Sequence, residues 1–117
     1  MYCCTRILIY ETRGTLPGIR GTQQDPKDYR VFLIVSRQEA IDSGFSTVIC
    51  APIYSRYSDI ITQVEVGVDE GLKHDSAVFC DELISLSKSK LTDFIGCLPM
   101  DKMDEVNAAL RIALATG

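Results

Sequence analysis

The chain has no tryptophan, a single histidine (His74) and only four prolines. One histidine and no C-x-x-C spacing exclude the usual zinc frameworks. No run approaches the roughly 18–20 apolar residues that a membrane-spanning helix needs. The first residues, Met1-Tyr2-Cys3-Cys4-Thr5-Arg6, lack the charged head and long apolar stretch of a secretory signal, so a cytoplasmic protein is expected. Five cysteines are present, an odd number. Cys50, Cys80 and Cys97 each lie in an apolar, strand-like run and read as buried free thiols. Cys3 and Cys4 are adjacent and too close to close an ordinary disulfide loop.

What is present describes one ordinary globular domain. The 117 residues suffice for one core, and 46% hydrophobic with 24% charged residues exclude a disordered or collagen-like chain. The formal net charge is −4, unevenly placed. Residues 1–37 hold six basic against three acidic side chains, and the remainder holds six against thirteen. Overall acidity argues against a protein that coats nucleic acid by bulk charge, while leaving room for a phosphate site within the basic first third.

Hydrophobic periodicity predicts the elements. Ile7–Tyr10 and the continuous apolar run Val31–Val35, rich in β-branched residues, read as strands, the latter buried on both faces. Ser36, with Glu39 three residues on, is placed to cap a short helical turn ended by Gly44. Thr47–Ile53 is a further strand, in which Pro52 marks an edge or a frayed end. From Thr62 to Val68 the valines at 64, 66 and 68 alternate with polar residues, as in a half-solvated strand, and Asp69-Glu70-Gly71 follows as a turn. Ala77–Leu86 and Leu91–Leu98 read as two more strands joined by a polar stretch. Met103, Val106, Leu110 and Ala113-Leu114 then recur at helical spacing, with Asp101, Asp104 and Glu105 in the first turns where acids suit the helix dipole. Between Gly14 and Tyr29 lies a long polar loop punctuated by glycine. Five or six short strands and a terminal helix imply a small twisted barrel-like sheet capped by that helix.

The ordered strings Asp25-Pro26-Lys27-Asp28-Tyr29-Arg30-Val31-Phe32-Leu33-Ile34-Val35 and Phe45-Ser46-Thr47-Val48-Ile49-Cys50-Ala51-Pro52-Ile53-Tyr54-Ser55 resemble the second and third strands of the MazF/PemK toxin family. Gln63–Val66, Gly71–Ser76, Cys80–Leu83 and Lys88–Gly96 continue the likeness in the same order, and the helix from Met103 closes it. The likeness covers roughly residues 25–115 and rests on the succession of motifs rather than on any one of them. It implies a mainly β fold, an SH3-like small barrel of antiparallel strands with short helices and a C-terminal helix, as a single domain over residues 1–117 in which 1–24 match poorly. It also implies a homodimer, a cognate antitoxin as partner, and a metal-independent endoribonuclease that cuts single-stranded mRNA with no cofactor. A relative that poisons DNA gyrase shares the fold, so a toxin acting by protein binding is the alternative.

Site residues follow from the same resemblance. Metal-free cleavage uses the substrate 2′-OH as nucleophile and needs charge stabilised on the phosphate, a task suited to a guanidinium. Arg30 stands where the family carries its active arginine, although Val31 replaces the usual following proline. Tyr54 and Ser55 replace the family's third-strand threonine and are candidates for hydrogen bonds to the phosphate; a tyrosine packed on the core at the barrel rim is the other reading of Tyr54. Thr22, Gln23, Gln24 and Lys27, in the long first loop, and Arg56, after the third strand, are candidates to line an RNA groove. Glu82 stands where relatives often place an RNA-contacting glutamine. His74, a ready acid–base group by type, lies in a turn that the resemblance does not mark, and reads as a loop histidine.

Overall fold

The computed structural model describes residues 8–13, 29–36, 42–91 and 93–116. Within them the chain forms seven strands and one long helix: β1 (Leu8–Arg13), β2 (Tyr29–Ile34), β3 (Thr47–Tyr54), β4 (Gln63–Val66), β5 (Ser76–Phe79), β6 (Ile84–Ser87), β7 (Asp93–Cys97) and α1 (Met100–Leu114). The expected class holds: antiparallel strands closed at one end of the sequence by a helix. The sheet runs in the order β4-β5-β3-β2-β1-β7, with β6 also paired to β3, and among the described residues its outer strands β4 and β7 do not join to close a barrel.

The apolar run of β2 is buried on both faces because each face meets its own core. Leu33 packs with Ala51, Ile53, Val64, Val66, Leu98 and the helix. Phe32 and Ile34, pointing the other way, pack with Val48, Cys50 and Leu86. A strand covered on two sides has no solvated face and therefore no alternation in its sequence. β4 shows the opposite pattern: Val64 and Val66 are buried and Glu65 is exposed. Here the expected strand is shortened. Val68 is 69% exposed and begins a 3-10 turn, Val68–Glu70, rather than extending the strand. Gly71 ends that turn at φ 100°, a left-handed conformation natural to glycine.

β3 is the hub. One edge pairs with β2, Val31 opposite Ile53 through Ile34 opposite Cys50. The other edge is divided: Thr47–Cys50 pair with β6, and Ile53–Tyr54 pair with β5. Pro52 is thus no sheet edge. It is buried in the stretch where the partner changes, a place where a missing N–H leaves no ladder bond unmade. The expected single strand Ala77–Leu86 is correspondingly two strands. Between them, residues 79–83 stand opposite only Ala51 and Pro52, a large bulge in a nearly continuous line along β3.

The helix packs Met103, Val106 and Ala109 against Val64, Val66 and Leu98. Leu110 and Ala113 are half-buried, whereas Leu114, expected on the same stripe, is 55% exposed in the last turn. Pro99 precedes the helix, Asp101 lies in its first turn and Arg111 in its last, all suited to the ends they occupy. Lys102 Nζ donates to the Glu65 carbonyl at 2.6 Å and so ties the helix to β4. Ser36 is buried, and its hydroxyl accepts from the Ile49 N–H at 2.7 Å; of the helical turn expected between it and Gly44, residues 37–41 lie outside the described part.

Cys50 and Cys80 are buried free thiols, as expected. Cys97 is disulfide-bonded, which corrects the expectation of a free thiol there. In sequence, β7 gave no sign of its neighbour. In the fold Cys97 stands opposite Leu8, at the start of β1 and a few residues after Cys3 and Cys4 in the chain.

Candidate functional site

The candidate site gathers where β2 begins and β3 ends. Antiparallel neighbours directly opposite each other share a face. Val31 pairs with Ile53, so the same register carried one residue further sets Arg30 across from Tyr54. On the far side of β2, Arg30 pairs with Thr12 of β1. On the far side of β3, Tyr54 pairs with Ala77 of β5. Strand alternation puts Arg30 and Tyr54 on the face of Phe32, Cys50 and Pro52. The β2–β3 ladder thus carries two residues 24 positions apart in sequence to adjoining strand ends, without any loop having to bring them there.

Arg30 is 7% exposed and is held by contacts within the fold. The guanidinium expected at an open mouth is therefore mostly covered.

Tyr54 is half-buried. Its ring meets Phe79 edge-on at a centroid separation of 4.8 Å and an interplanar angle of 88°, an arrangement that favours aromatic pairs. Its hydroxyl donates to Glu82 Oε1 over 3.5 Å, a long hydrogen bond. The ring thus packs at the rim, as one reading of Tyr54 had it, while the hydroxyl reaches a polar partner within the protein. Glu82, itself half-buried, sits in the bulge between β5 and β6. That bulge is pinned at several points. The Glu82 N–H donates to the Phe79 carbonyl at 3.2 Å, and the Cys80 N–H to the Thr62 carbonyl at 3.1 Å. The Thr62 hydroxyl, itself buried, donates to Asp81 Oδ2.

The remaining candidates separate. Ser55 and Arg56 follow β3 and are exposed, adjacent to Tyr54 but outside the ladder. Thr22, Gln23, Gln24 and Lys27 lie outside the described residues. His74 is exposed in the turn before β5, where its carbonyl accepts from the Ser76 hydroxyl at 3.1 Å, consistent with a loop residue. Among the described residues no group of three or more His, Cys, Asp or Glu is arranged to hold a metal ion, and no helix is long and apolar enough to cross a membrane.

Sequence reasoning missed the supports of this site: Phe79 against Tyr54, and Thr62 bonded to Asp81. Neither has a local signature. The only sequence signal was the adjacent acid pair Asp81-Glu82, polar in the middle of an apolar run, which marks a break in a strand.

Comparison with known proteins places the chain. An 82-residue stretch is 34% identical to Endoribonuclease EndoA of Bacillus subtilis (strain 168), covering 67% of this chain and 71% of that protein. Among solved structures, the Mycobacterium tuberculosis toxin MazF-mt6 superposes with a TM-score of 0.73 at 23% identity, over 91% of this chain and 96% of the other. An endoribonuclease in complex with its cognate antitoxin, from a mycobacterial species, superposes with a TM-score of 0.75 at 23% identity, over 94% of this chain and 93% of the other. At that identity the two structures establish the fold. Residues 15–114 match the family described as PemK-like, MazF-like toxin of type II toxin–antitoxin system, and with the EndoA likeness this means that the chain belongs to that toxin family.

Proposed function

We propose that the protein is the toxin of a type II toxin–antitoxin pair and an endoribonuclease that cuts single-stranded mRNA through attack of the substrate's own 2′-OH. The observation that carries this reading is the placement of a buried arginine, Arg30, at the start of β2 and of a strand-end hydroxyl, Tyr54, at the adjoining end of β3, on one face of the sheet by alternation. EndoA's name supplies the reaction class. In the reaction the 2′-oxygen attacks phosphorus, the 5′-oxygen leaves, and the products are a 2′,3′-cyclic phosphate and a 5′-OH. Arg30 stabilises the negative charge that grows on the phosphate oxygens. Donors fixed before the reaction are worth more than mobile ones, about 3 kcal/mol each. Tyr54 hydrogen-bonds at the reacting phosphate, with Ser55 beside it, and Arg56, Thr22, Gln23, Gln24 and Lys27 hold the flanking RNA by charge and hydrogen bonds. No step calls for a metal. The protein works in the cytoplasm as a homodimer and is held inactive by its antitoxin, a reading supported by the antitoxin complex of its mycobacterial fold neighbour.

The test is incubation of purified protein with a mixed-sequence single-stranded RNA in EDTA, with mapping of the ends. Fragments with cyclic-phosphate and 5′-OH ends are expected, and Arg30→Ala should lose cutting while melting cooperatively. Intact RNA, with DNA supercoiling by gyrase blocked instead, would replace this reading with the protein-binding one.

A further inference from the structure

Glu82 stands where an RNA-contacting residue was expected, yet one of its partners is a side chain of the protein's own site. Three observations combine. The Tyr54 hydroxyl points its donor at Glu82 Oε1. The edge-on contact with Phe79, itself 5% exposed, fixes the phenol ring. The bulge carrying Glu82 is bonded to Phe79 and, through Cys80 and Asp81, to Thr62, so the carboxylate is mounted on rigid backbone and not on a free loop. Bulges are a known means of re-aiming a side chain beside an active site.

From this we propose that Glu82 is a positioning residue acting through Tyr54: it orients the phenol and receives its proton during RNA cleavage. The inference rests on the endoribonuclease reading above and deepens it. In this arrangement the phenol proton is directed at Glu82, and the phenol oxygen accepts from the 2′-OH beside the phosphate. As the 2′-oxygen bonds to phosphorus, its proton passes to Tyr54 Oη, and Tyr54's own proton passes to the Glu82 carboxylate, which leaves the hydrogen bonds to the phosphate oxygens themselves to Arg30 and Ser55. The bond from phosphorus to the 5′-oxygen breaks, and that oxygen takes a proton from water. The hydroxide so formed removes the proton from Glu82, and the pair is restored. A phenol alone is a poor base near neutral pH, being already protonated. It becomes a proton conduit when a carboxylate stands behind it. The separation of 3.5 Å is long for transfer, and catalytic hydrogen bonds commonly tighten only when substrate is bound. An amide at position 82 can accept the same hydrogen bond but is not a proton acceptor of comparable strength, so an acid here changes the chemistry of the site and not merely its shape.

The experiment compares wild type, Glu82→Gln, Tyr54→Phe and the double variant, using a single-stranded RNA and the all-2′-deoxy oligonucleotide of the same sequence. Wild type should cut, with an acidic limb in its pH profile of kcat/KM where the carboxylate becomes protonated. Glu82→Gln should lower kcat/KM about a hundredfold and abolish that limb, while binding the deoxy oligonucleotide within about twofold of wild type. Tyr54→Phe should fall as far, and the double variant no further, because the two residues act as one unit. If Glu82→Gln does not melt cooperatively, Tyr54→Phe and its pH profile decide the matter. Cutting by wild type together with an unchanged rate and acidic limb in Glu82→Gln overturns the relay alone. A rate loss matched by weaker binding of the deoxy oligonucleotide, with the acidic limb kept, overturns it in favour of a direct RNA contact. An intact RNA with wild type overturns both the relay and the nuclease reading.

Discussion

Alkaline pH should destabilise this protein from within, through Cys50. The thiol is fully buried between Phe32, Val48 and Leu86. Burial pushes it from an ordinary 9.0 up to about 12. Folding therefore holds the proton on sulfur at a pH where the unfolded chain releases it. The stabilisation is complete below the unfolded value and is lost as pH rises from there toward the folded value, because the native state then binds more protons than the unfolded one. One unit above the unfolded value, near pH 10, the loss from this single group is about 1.4 kcal/mol. For a small domain that lowers the urea midpoint by roughly 0.5–1.4 M. The assay is urea unfolding of wild type and Cys50→Ala at pH 7.5 and pH 10. Other groups titrate in both proteins and cancel in the comparison, so wild type should lose about 1.4 kcal/mol more than the variant between the two pH values. An equal loss in both would show that the thiol is not isolated from water in the folded protein, and the two-sided burial of β2 and β3 would have to be redrawn.

Further outcomes follow from the same packing. Cys80, pushed up to about 11 by burial and then by Asp81, and Cys50 should both resist a thiol-directed reagent at pH 8 in the native state and react quickly in urea. Leu98→Ala, which empties a fully buried position between sheet and helix, should cost about 2–5 kcal/mol in chemical denaturation; a loss under 1 kcal/mol would mean that the helix does not seal this core. A methyl group at Gly96 would stand 2.5 Å from the Glu70 carbonyl oxygen, so Gly96→Ala should destabilise by about 1–3 kcal/mol, and an unchanged melting temperature would count against so close an approach of β7 to the turn after β4. Arg30→Ala should reduce RNA cleavage by at least a hundredfold; full activity would remove the guanidinium from the mechanism.

Much of the fold was legible because burial writes itself into sequence. The run Val31–Val35 and the helical stripe Met103–Val106–Leu110 state how many faces are covered, and both elements form where expected. What failed were readings that depend on a neighbour. Pro52 reads as an edge because proline lacks a donor, but an interior position suits it where β3 changes partners. Val68 keeps the alternation of β4 and yet lies in the following turn, since Gly71 and the Glu70 carboxylate, which accepts from the Gly67 N–H at 2.6 Å, bend the chain there. Cys97 reads as a free thiol because nothing in β7 says that β1 lies beside it. The site shows the same division. Arg30 and Tyr54 were found by likeness to a family, and the β2–β3 register explains why they lie at adjoining strand ends. The bond between Tyr54 and Glu82 spans 28 positions and crosses from one strand to a bulge on another, a relation that no local pattern encodes.

The divided edge of β3 has an evolutionary reading. The ladders to β5 and β6 are set separately, on either side of Pro52, and each feeds a different core cluster. Between them Cys80–Leu83 pair with no residue of β3 and form a turn held by its own bonds to Phe79 and Thr62. Exchanging the half-buried residue at position 82 would set a different side chain beside Tyr54 without asking any strand to shift, so a lineage built on this architecture can retune its chemistry at one position of that turn and leave the scaffold untouched.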